Sequence, residues 1–290
     1  MIKAVRITWT RKILDNEKRF KMSAKKTWWI TIDFLCYFDI YYDGQFKYLK
    51  NDKKINDYNV FRIDWLRWVG MKKWLIYYYW ILNKKKTMDR SYLIGTDYYS
   101  KFNQLLFFNH YNFSTPTSIF FAIDNIYINK YITLLENKFI YPFIAKDIYK
   151  DRGEWVLLVE NRQQLKNIIL EQQNNCILFQ EYIVNTWEFR IITVWNHIVG
   201  SFKRYNPHSY KNNLKKWTIF ENISINRQLK NTIVDIIKKY KLDFSWIDII
   251  TSWDKYYLLE INITPQFKRM EAVTWIDVIQ KLMMHIKKIK

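Results

Sequence analysis

Five glycines in a chain of 290 residues are too few to make the turns of a mixed α/β protein. A chain of this length ordinarily carries roughly 20, since glycine alone enters the left-handed backbone region without a steric penalty. Tryptophan is over-represented, at 14 residues, and the two types together come close to the ordinary glycine count. The question is whether tryptophan stands where the backbone needs glycine.

Three turns say that it does. Val194-Trp195-Asn196-His197 joins two apolar strands by two residues, a connection that wants positive φ and therefore glycine or asparagine. Ser252-Trp253-Asp254-Lys255 repeats the arrangement, and Trp28-Trp29 follows a helix at the place of a glycine C-cap. Core tryptophans would sit inside strands or on helix faces instead. The pattern implies a gene in which UGA means glycine and is written as tryptophan by the standard code. UGG at most of the 14 codons would exclude this.

The balance of 49% hydrophobic and 26% charged residues is that of a soluble globular protein of one large or two smaller domains. A net charge of +20 invites a polyanionic partner, but the basic residues are spread along the chain. Lys, Asn, Ile, Tyr and Phe all have A/T-rich codons, so genome composition accounts for much of the charge, and a nucleic-acid partner is not expected. Cys36, Cys176 and the four histidines show no zinc spacing. The longest apolar run, Trp74 to Leu82, is far short of the ~20 residues of a membrane span, and the N-terminus lacks a signal-peptide core. A cytoplasmic protein without a membrane partner is the expectation.

Hydrophobic periodicity predicts strands at Lys3 to Thr8 and Ile30 to Tyr37, with a helix from Ile13 to Lys26 between them. An Asp43-Gly44 hairpin turn follows. A helical pattern from Ser91 to Phe113 leads into the strand Ser118 to Ala122, and Tyr141 to Lys146 and Trp155 to Glu160 flank a polar loop. Strands are expected at Ile177 to Tyr182, Glu188 to Val194, His197 to Lys203, Ile247 to Thr251 and Tyr256 to Asn262. Helices are expected at Arg162 to Gln172, Asn226 to Tyr240 and Trp275 to Lys288. The chain reads as α/β or α+β.

Three segments carry chemistry. Asp248 ends one strand, and Glu260 and Asn262, two apart, share a face of the next, so three oxygen ligands converge in a manner suited to Mg²⁺ or Mn²⁺ on nucleotide phosphates. Ordinary exposed-face residues would look the same. With Trp155 read as glycine, Lys146 to Val156 is a strand, a loop ending Gly-Glu-Gly at Gly153, and a second strand, so backbone N–H groups could cradle phosphate beside Lys146. Most Gly-x-Gly loops are only tight turns. Finally, Gln180-Glu181-Tyr182 leads to Glu188, a carboxylate able to accept ribose hydroxyls, while Arg190, Arg204 and Asn213 form a polar set suited to a transferring phosphoryl group. Each of these alone also fits a surface salt bridge.

The order of these segments resembles the ATP-grasp superfamily, most closely the RimK-type carboxylate-amine ligases, over roughly residues 60 to 290. With tryptophan replaced by glycine, "TGEFRIITVGNHIVGSFKR", "LDFSGIDII" and "LLEINITPQFKRMEAVTGID" look like family segments; Trp187, Trp195, Trp246 and Trp275 fall at family glycines. The resemblance implies a pre-ATP-grasp α/β domain over residues 1–95 and an ATP-grasp domain over 96–290, divided into 96–182 and 183–290. It also implies two Mg²⁺ or Mn²⁺ ions on Asp248, Glu260 and Asn262. ATP is implied to contact Lys101, Lys146, Gly153, the Glu181-Tyr182 linker and Glu188. Arg190, Arg204 and Asn213 would then be the catalytic set. After Asn213 the family's Asn-Leu-His-Arg-Gly-Gly is here Asn213-Leu214-Lys215-Lys216-Trp217-Thr218, which bears on the acceptor more than on ATP. The implied activity joins an amino acid to a carboxylate-bearing small molecule or protein tail through an acyl phosphate. A protein with Trp155 is expected to be inactive, since its indole would occupy the phosphate loop. The alternative is a basic RNA- or ribosome-associated binding protein that keeps the fold without catalysis, favoured if Asp248, Glu260 and Asn262 do not converge.

Overall fold

The N-terminal strand β1 (Ile2–Thr8) pairs in parallel with β2 (Ile30–Cys36) across helix α1 (Asp15–Lys26), the β-α-β unit expected from periodicity. This computed structural model describes the chain except residues 9–14, 44, 52, 64–73, 76, 85, 89, 94–99, 151–154, 185–186, 213–216, 254, 264 and 289–290. Ile13, Gly44, Gly153 and Asn213 therefore lie outside the described residues. Two further parallel strands, β6 (Val60–Ile63) and β7 (Lys86–Thr87), complete a sheet of order β2-β1-β6-β7. A parallel sheet is covered on both faces, and β1 shows why its sequence allows this. Ala4 packs into one core with Phe20, Ala24 and Ile30, while Val5 and Ile7 pack into another with Leu35 and Tyr79. A small antiparallel meander, β3 (Ile40–Tyr42), β4 (Phe46–Tyr48) and β5 (Lys53–Lys54), follows β2.

Helix α2 (Lys101–His110) starts at the N-cap Ser100, whose hydroxyl accepts from the Asn103 N–H. The helical pattern expected from Ser91 to Phe113 is thus divided: Arg90–Leu93 is a separate 3₁₀ turn. Strands β8 (Ser118–Ala122), β9 (Phe143–Asp147), β10 (Val156–Val159) and β11 (Cys176–Glu181) form an antiparallel sheet of order β10-β9-β11-β8. Helices α3 (Ile128–Lys138) and α4 (Arg162–Glu171) cover one face, through Ile132, Leu135, Leu165 and Ile169. Trp155 leans on this core, and the loop before it, residues 151–154, lies outside the described residues.

The third sheet, order β14-β13-β12-β15-β16, contains β12 (Glu188–Val194), β13 (His197–Tyr205), β14 (Ile219–Asn222), β15 (Phe244–Ser252) and β16 (Lys255–Asn262). Helix α5 (Arg227–Lys239) carries Leu229, Ile233, Ile236 and Ile237 on one stripe and is N-capped by Asn226, which accepts from the Leu229 N–H at 2.8 Å. That stripe packs on Ile191, Ile247, Ile249 and Ile261 of one sheet face, each side chain worth roughly 2 kcal/mol in removed apolar surface. The opposite face is divided. Toward one end it presents Ile192, Phe202 and Phe244 to α6 (Lys268–Thr274) and α7 (Val278–Lys288). Toward the other end it is charged. The helix expected from Trp275 begins instead at Val278, because Trp275 is the left-handed C-cap of α6.

Trp275 is one of a group. Among the described residues, nine that are not glycine have positive φ, and five of the nine are Trp28, Trp195, Trp217, Trp253 and Trp275. Asn112 and Asn174 tolerate this region through their short polar side chains, whereas for a bulky residue it costs roughly 1 to 2 kcal/mol. Both two-residue hairpins expected from the sequence form, pairing Val194 with His197 and Ser252 with Lys255.

Candidate active site

Antiparallel register gathers the charged residues onto one face of the five-stranded sheet. Arg190 lies opposite Asp248, Glu188 opposite Arg204, and Asp248 opposite Glu260, while Asn262, two residues beyond Glu260, lies opposite Trp246. Directly opposed residues share a face, as do residues two apart. The convergence expected of Asp248, Glu260 and Asn262 therefore has a structural basis in the β15–β16 pairing. Among the described residues no three His, Cys, Asp or Glu side chains gather as a metal-binding group; the expected set is two carboxylates and one amide.

Within this face the contacts are dense. The Arg190 guanidinium donates through Nε and Nη2 to the two Asp248 carboxylate oxygens at 2.7 and 2.6 Å and lies 3.7 Å above the Trp246 ring. Arg204 donates to Glu188 and lies 3.7 Å from Asp248. Glu188, Arg204 and Asp248 are all buried. Burial opposes the charge of Arg204, but Glu188, Asp248 and Glu260 outweigh it and hold its pKa above the ordinary value. The Nε of Arg204 is buried with no hydrogen-bond partner, so one guanidinium N–H is left for an anion arriving beside Glu188 and Asp248.

The facing wall comes from the other antiparallel sheet. Lys146 on β9 donates to Gln180 Oε1 at 2.5 Å, and Gln180 donates in turn to Ser118 Oγ at 2.9 Å. Lys101, at the start of α2, donates to the Lys150 carbonyl, and Asp147 holds the turn between by accepting from the Tyr149 and Lys150 N–H groups at 2.7 and 3.0 Å. Lys101, Lys146 and Gln180 line one small cavity together with Leu258 and Leu259 of β16. Lys101 of α2 and Lys146 of β9 thus stand together, and Lys146 also feels the Glu260 and Glu188 carboxylates of the five-stranded sheet. Burial, reinforced by the Lys101 cation, pushes the Lys146 ammonium down to about 8, against the pull of Glu260 and Glu188.

That depression has a measurable sign. Between pH about 8 and the ordinary lysine value, the folded chain binds fewer protons at Lys146 than the unfolded chain, so stability is expected to rise with pH across this window. Below it both states are protonated and the slope vanishes. Urea unfolding of the wild type and Lys146→Met from pH 7.5 to 10.5 isolates the effect as the difference between the two slopes; equal slopes would contradict it.

Two expected residues are used differently from a simple ligand reading. Glu181 receives the Thr117 N–H on Oε1 at 2.7 Å, so its carboxylate fixes the start of β8, while its backbone and Tyr182 begin the connection to β12. Glu188 is occupied by Arg204 rather than open to solvent. Gln104 was not singled out by the sequence. Its amide donates to the Ile261 carbonyl at 3.0 Å and accepts from the Ile261 N–H at 2.7 Å, so a side chain of α2 replaces a neighbouring strand at the edge of β16 and docks the helix that carries Lys101 onto that strand. Nothing local marks it, since the pairing spans 157 residues.

The RimK-like ATP-grasp domain pattern matches residues 101–286. A probable alpha-L-glutamate ligase of Pasteurella multocida is 26% identical over 152 residues, 51% of this chain and 49% of that protein. The Glutamate--LysW ligase ArgX of Sulfurisphaera tokodaii is 29% identical over 143 residues, 48% of this chain and 49% of that protein. The chain spans about half the length of the curated relatives it matches. In overall fold it is similar to the ATP-grasp ligase PsnB complexed with minimal precursor, Mg and ADP, with a TM-score of 0.73 at 12% identity over 99% of this chain and 96% of that one. The match across the two sheets that build the cleft shows that this chain belongs to the RimK-like ATP-grasp family.

Proposed function

We propose that the chain is an ATP-dependent carboxylate-amine ligase that joins an amino acid to a small molecule or protein tail. The observation that carries this reading is that Lys146, beside Lys101 in one cavity, lies within electrostatic reach of Glu260 and Glu188, on the sheet face where Arg190 and Arg204 pair with Asp248. In the proposed reaction a substrate carboxylate oxygen attacks the γ-phosphorus of ATP, ADP leaves, and an amine then displaces phosphate from the acyl carbon and loses a proton.

The residues present fit such a reaction. Lys101 from the start of α2 and Lys146 from β9 supply positive charge to the phosphate chain. Arg204, with its buried Nε–H unpartnered, and Arg190 stabilise negative charge at the transferring phosphoryl group. Glu188 orients Arg204 and by the family resemblance would accept the ribose hydroxyls. The Glu181-Tyr182 backbone offers the adenine edge. Asp248, Glu260 and Asn262 are hard oxygen donors of the kind Mg²⁺ and Mn²⁺ prefer, and two such ions would neutralise the β- and γ-phosphates. Arg190 donates one hydrogen bond to each Asp248 oxygen, which leaves each oxygen a second lone pair for an ion. Asn213 and Gly153 belong to the same proposal through the family resemblance. The register that opposes Asp248 to Glu260 counts against a binding protein without catalysis.

A neighbouring structure holds a minimal precursor and the two curated relatives described above are named as glutamate ligases, so peptides with acidic tails and free glutamate head the substrates to screen. ADP release is expected when ATP, Mg²⁺, one amino acid and its acceptor are present together. No turnover with any amino acid or acidic peptide would count for the binding protein instead.

A further inference from the structure

We infer that the natural protein carries glycine in place of Trp28, Trp195, Trp217, Trp253 and Trp275, because its cells read UGA as glycine. Two independent properties of these positions carry the inference. The first is conformational: all five have φ between 52° and 66°, where a bulky side chain is strained and glycine is not. Their contexts are also those that use glycine. Trp275 donates its N–H to the Glu271 carbonyl as the left-handed cap of α6, and Trp28 donates to the Lys25 carbonyl just past α1. Trp195 and Trp253 are the first residues of two-residue hairpin turns, where positive φ is required.

The second property is packing. A tryptophan side chain contributes by burying a large apolar surface, yet Trp28, Trp253 and Trp275 are 88%, 99% and 92% exposed and Trp217 is 62% exposed. Two of the five do meet a neighbour: Trp217 lies edge-on to His208 at 5.6 Å, and Trp195 is stacked on His285 and lies 3.6 Å from the Arg90 guanidinium. Even there glycine leaves the pairing of Arg90 with Asp243 at 2.7 Å untouched. Strain without burial is the signature of a residue the backbone did not ask for, and its recurrence at one residue type points to the codon rather than to selection on each site.

The inference does not depend on the proposed activity. Peptide mass spectrometry of the protein isolated from its own cells is expected to find glycine at all five positions; tryptophan at any of them overturns the inference. A second measurement tests the physical argument on recombinant protein. Combining Trp28→Gly, Trp217→Gly, Trp253→Gly and Trp275→Gly is expected to raise Tm by on the order of 10 °C, since left-handed strain is relieved at four sites with little packing lost. Trp29→Gly and Trp74→Gly, at exposed residues outside the left-handed region, are the controls and should not raise it. An unchanged or lower Tm in the fourfold variant would show that the tryptophans suit their positions and would overturn the argument.

Discussion

Glu260→Gln is expected to lower turnover by about 10²- to 10³-fold while leaving Tm within a few degrees of wild type, the scale of losing one preorganised electrostatic group. The substitution keeps the shape of the side chain but removes its charge and turns one acceptor oxygen into an N–H donor. Glu260 lies opposite Asp248 and two residues from Asn262 on the face that Lys146 and Arg204 also feel. If it holds a divalent ion, the residual activity should need a higher Mg²⁺ concentration, which a titration of rate against Mg²⁺ reads directly. A variant with wild-type turnover and an unchanged Mg²⁺ dependence would remove Glu260 from the site.

Arg204→Met should be the most destabilising single change in the cleft, by about 3 to 5 kcal/mol, because it leaves the buried Glu188 carboxylate without its counter-charge. A buried ion pair is poor evidence of net stability, but breaking one side of it is costly. The companion Glu188→Gln/Arg204→Met protein tests this: it should recover much of the stability, as coupled neighbours do, and none of the activity. Chemical denaturation and ADP release measured on the same three proteins separate the two effects. Equal stability of the single and double variants would mean that Glu188 and Arg204 are not coupled.

Much of this arrangement was legible in the sequence wherever a period carried it. Glu188–Val194 and Ser118–Ala122 form strands at the expected residues, and α5 lies one residue inside the expected range with Asn226 as its cap. Alternation also placed Glu260 and Asn262 on one face before any partner was known. What the sequence withheld depends on register between distant segments. The Arg190–Asp248 pair spans 58 residues and the Gln104–Ile261 pair 157, and no local pattern encodes either. The single helix expected over Ser91 to Phe113 failed because apolar spacing does not reveal where a chain leaves α geometry. Trp275 failed differently: it has the apolar character of a helix face, yet it occupies a left-handed cap. The same confusion makes Trp253 resemble a core residue in composition while it stands in solvent.

Glu181 shows the limit of reading roles from order alone. Its position at the end of β11 suits an adenine linker, but its carboxylate accepts the Thr117 N–H and its own N–H is donated to the Thr117 carbonyl, so both groups are committed to β8. Lys146 shows the converse, since a lysine at a strand end is unremarkable until burial and Lys101 together move its pKa to about 8.

The fate of the carboxylate oxygen tests the central claim most directly. A substrate carboxylate labelled with ¹⁸O, incubated with ATP, Mg²⁺ and the amine, should yield inorganic phosphate carrying one ¹⁸O per amide formed, because the attacking oxygen stays on phosphorus when the amine displaces it. Phosphate free of label while the amide forms, or ATP hydrolysis with no amide at all, would contradict ligation through an acyl phosphate in this cleft.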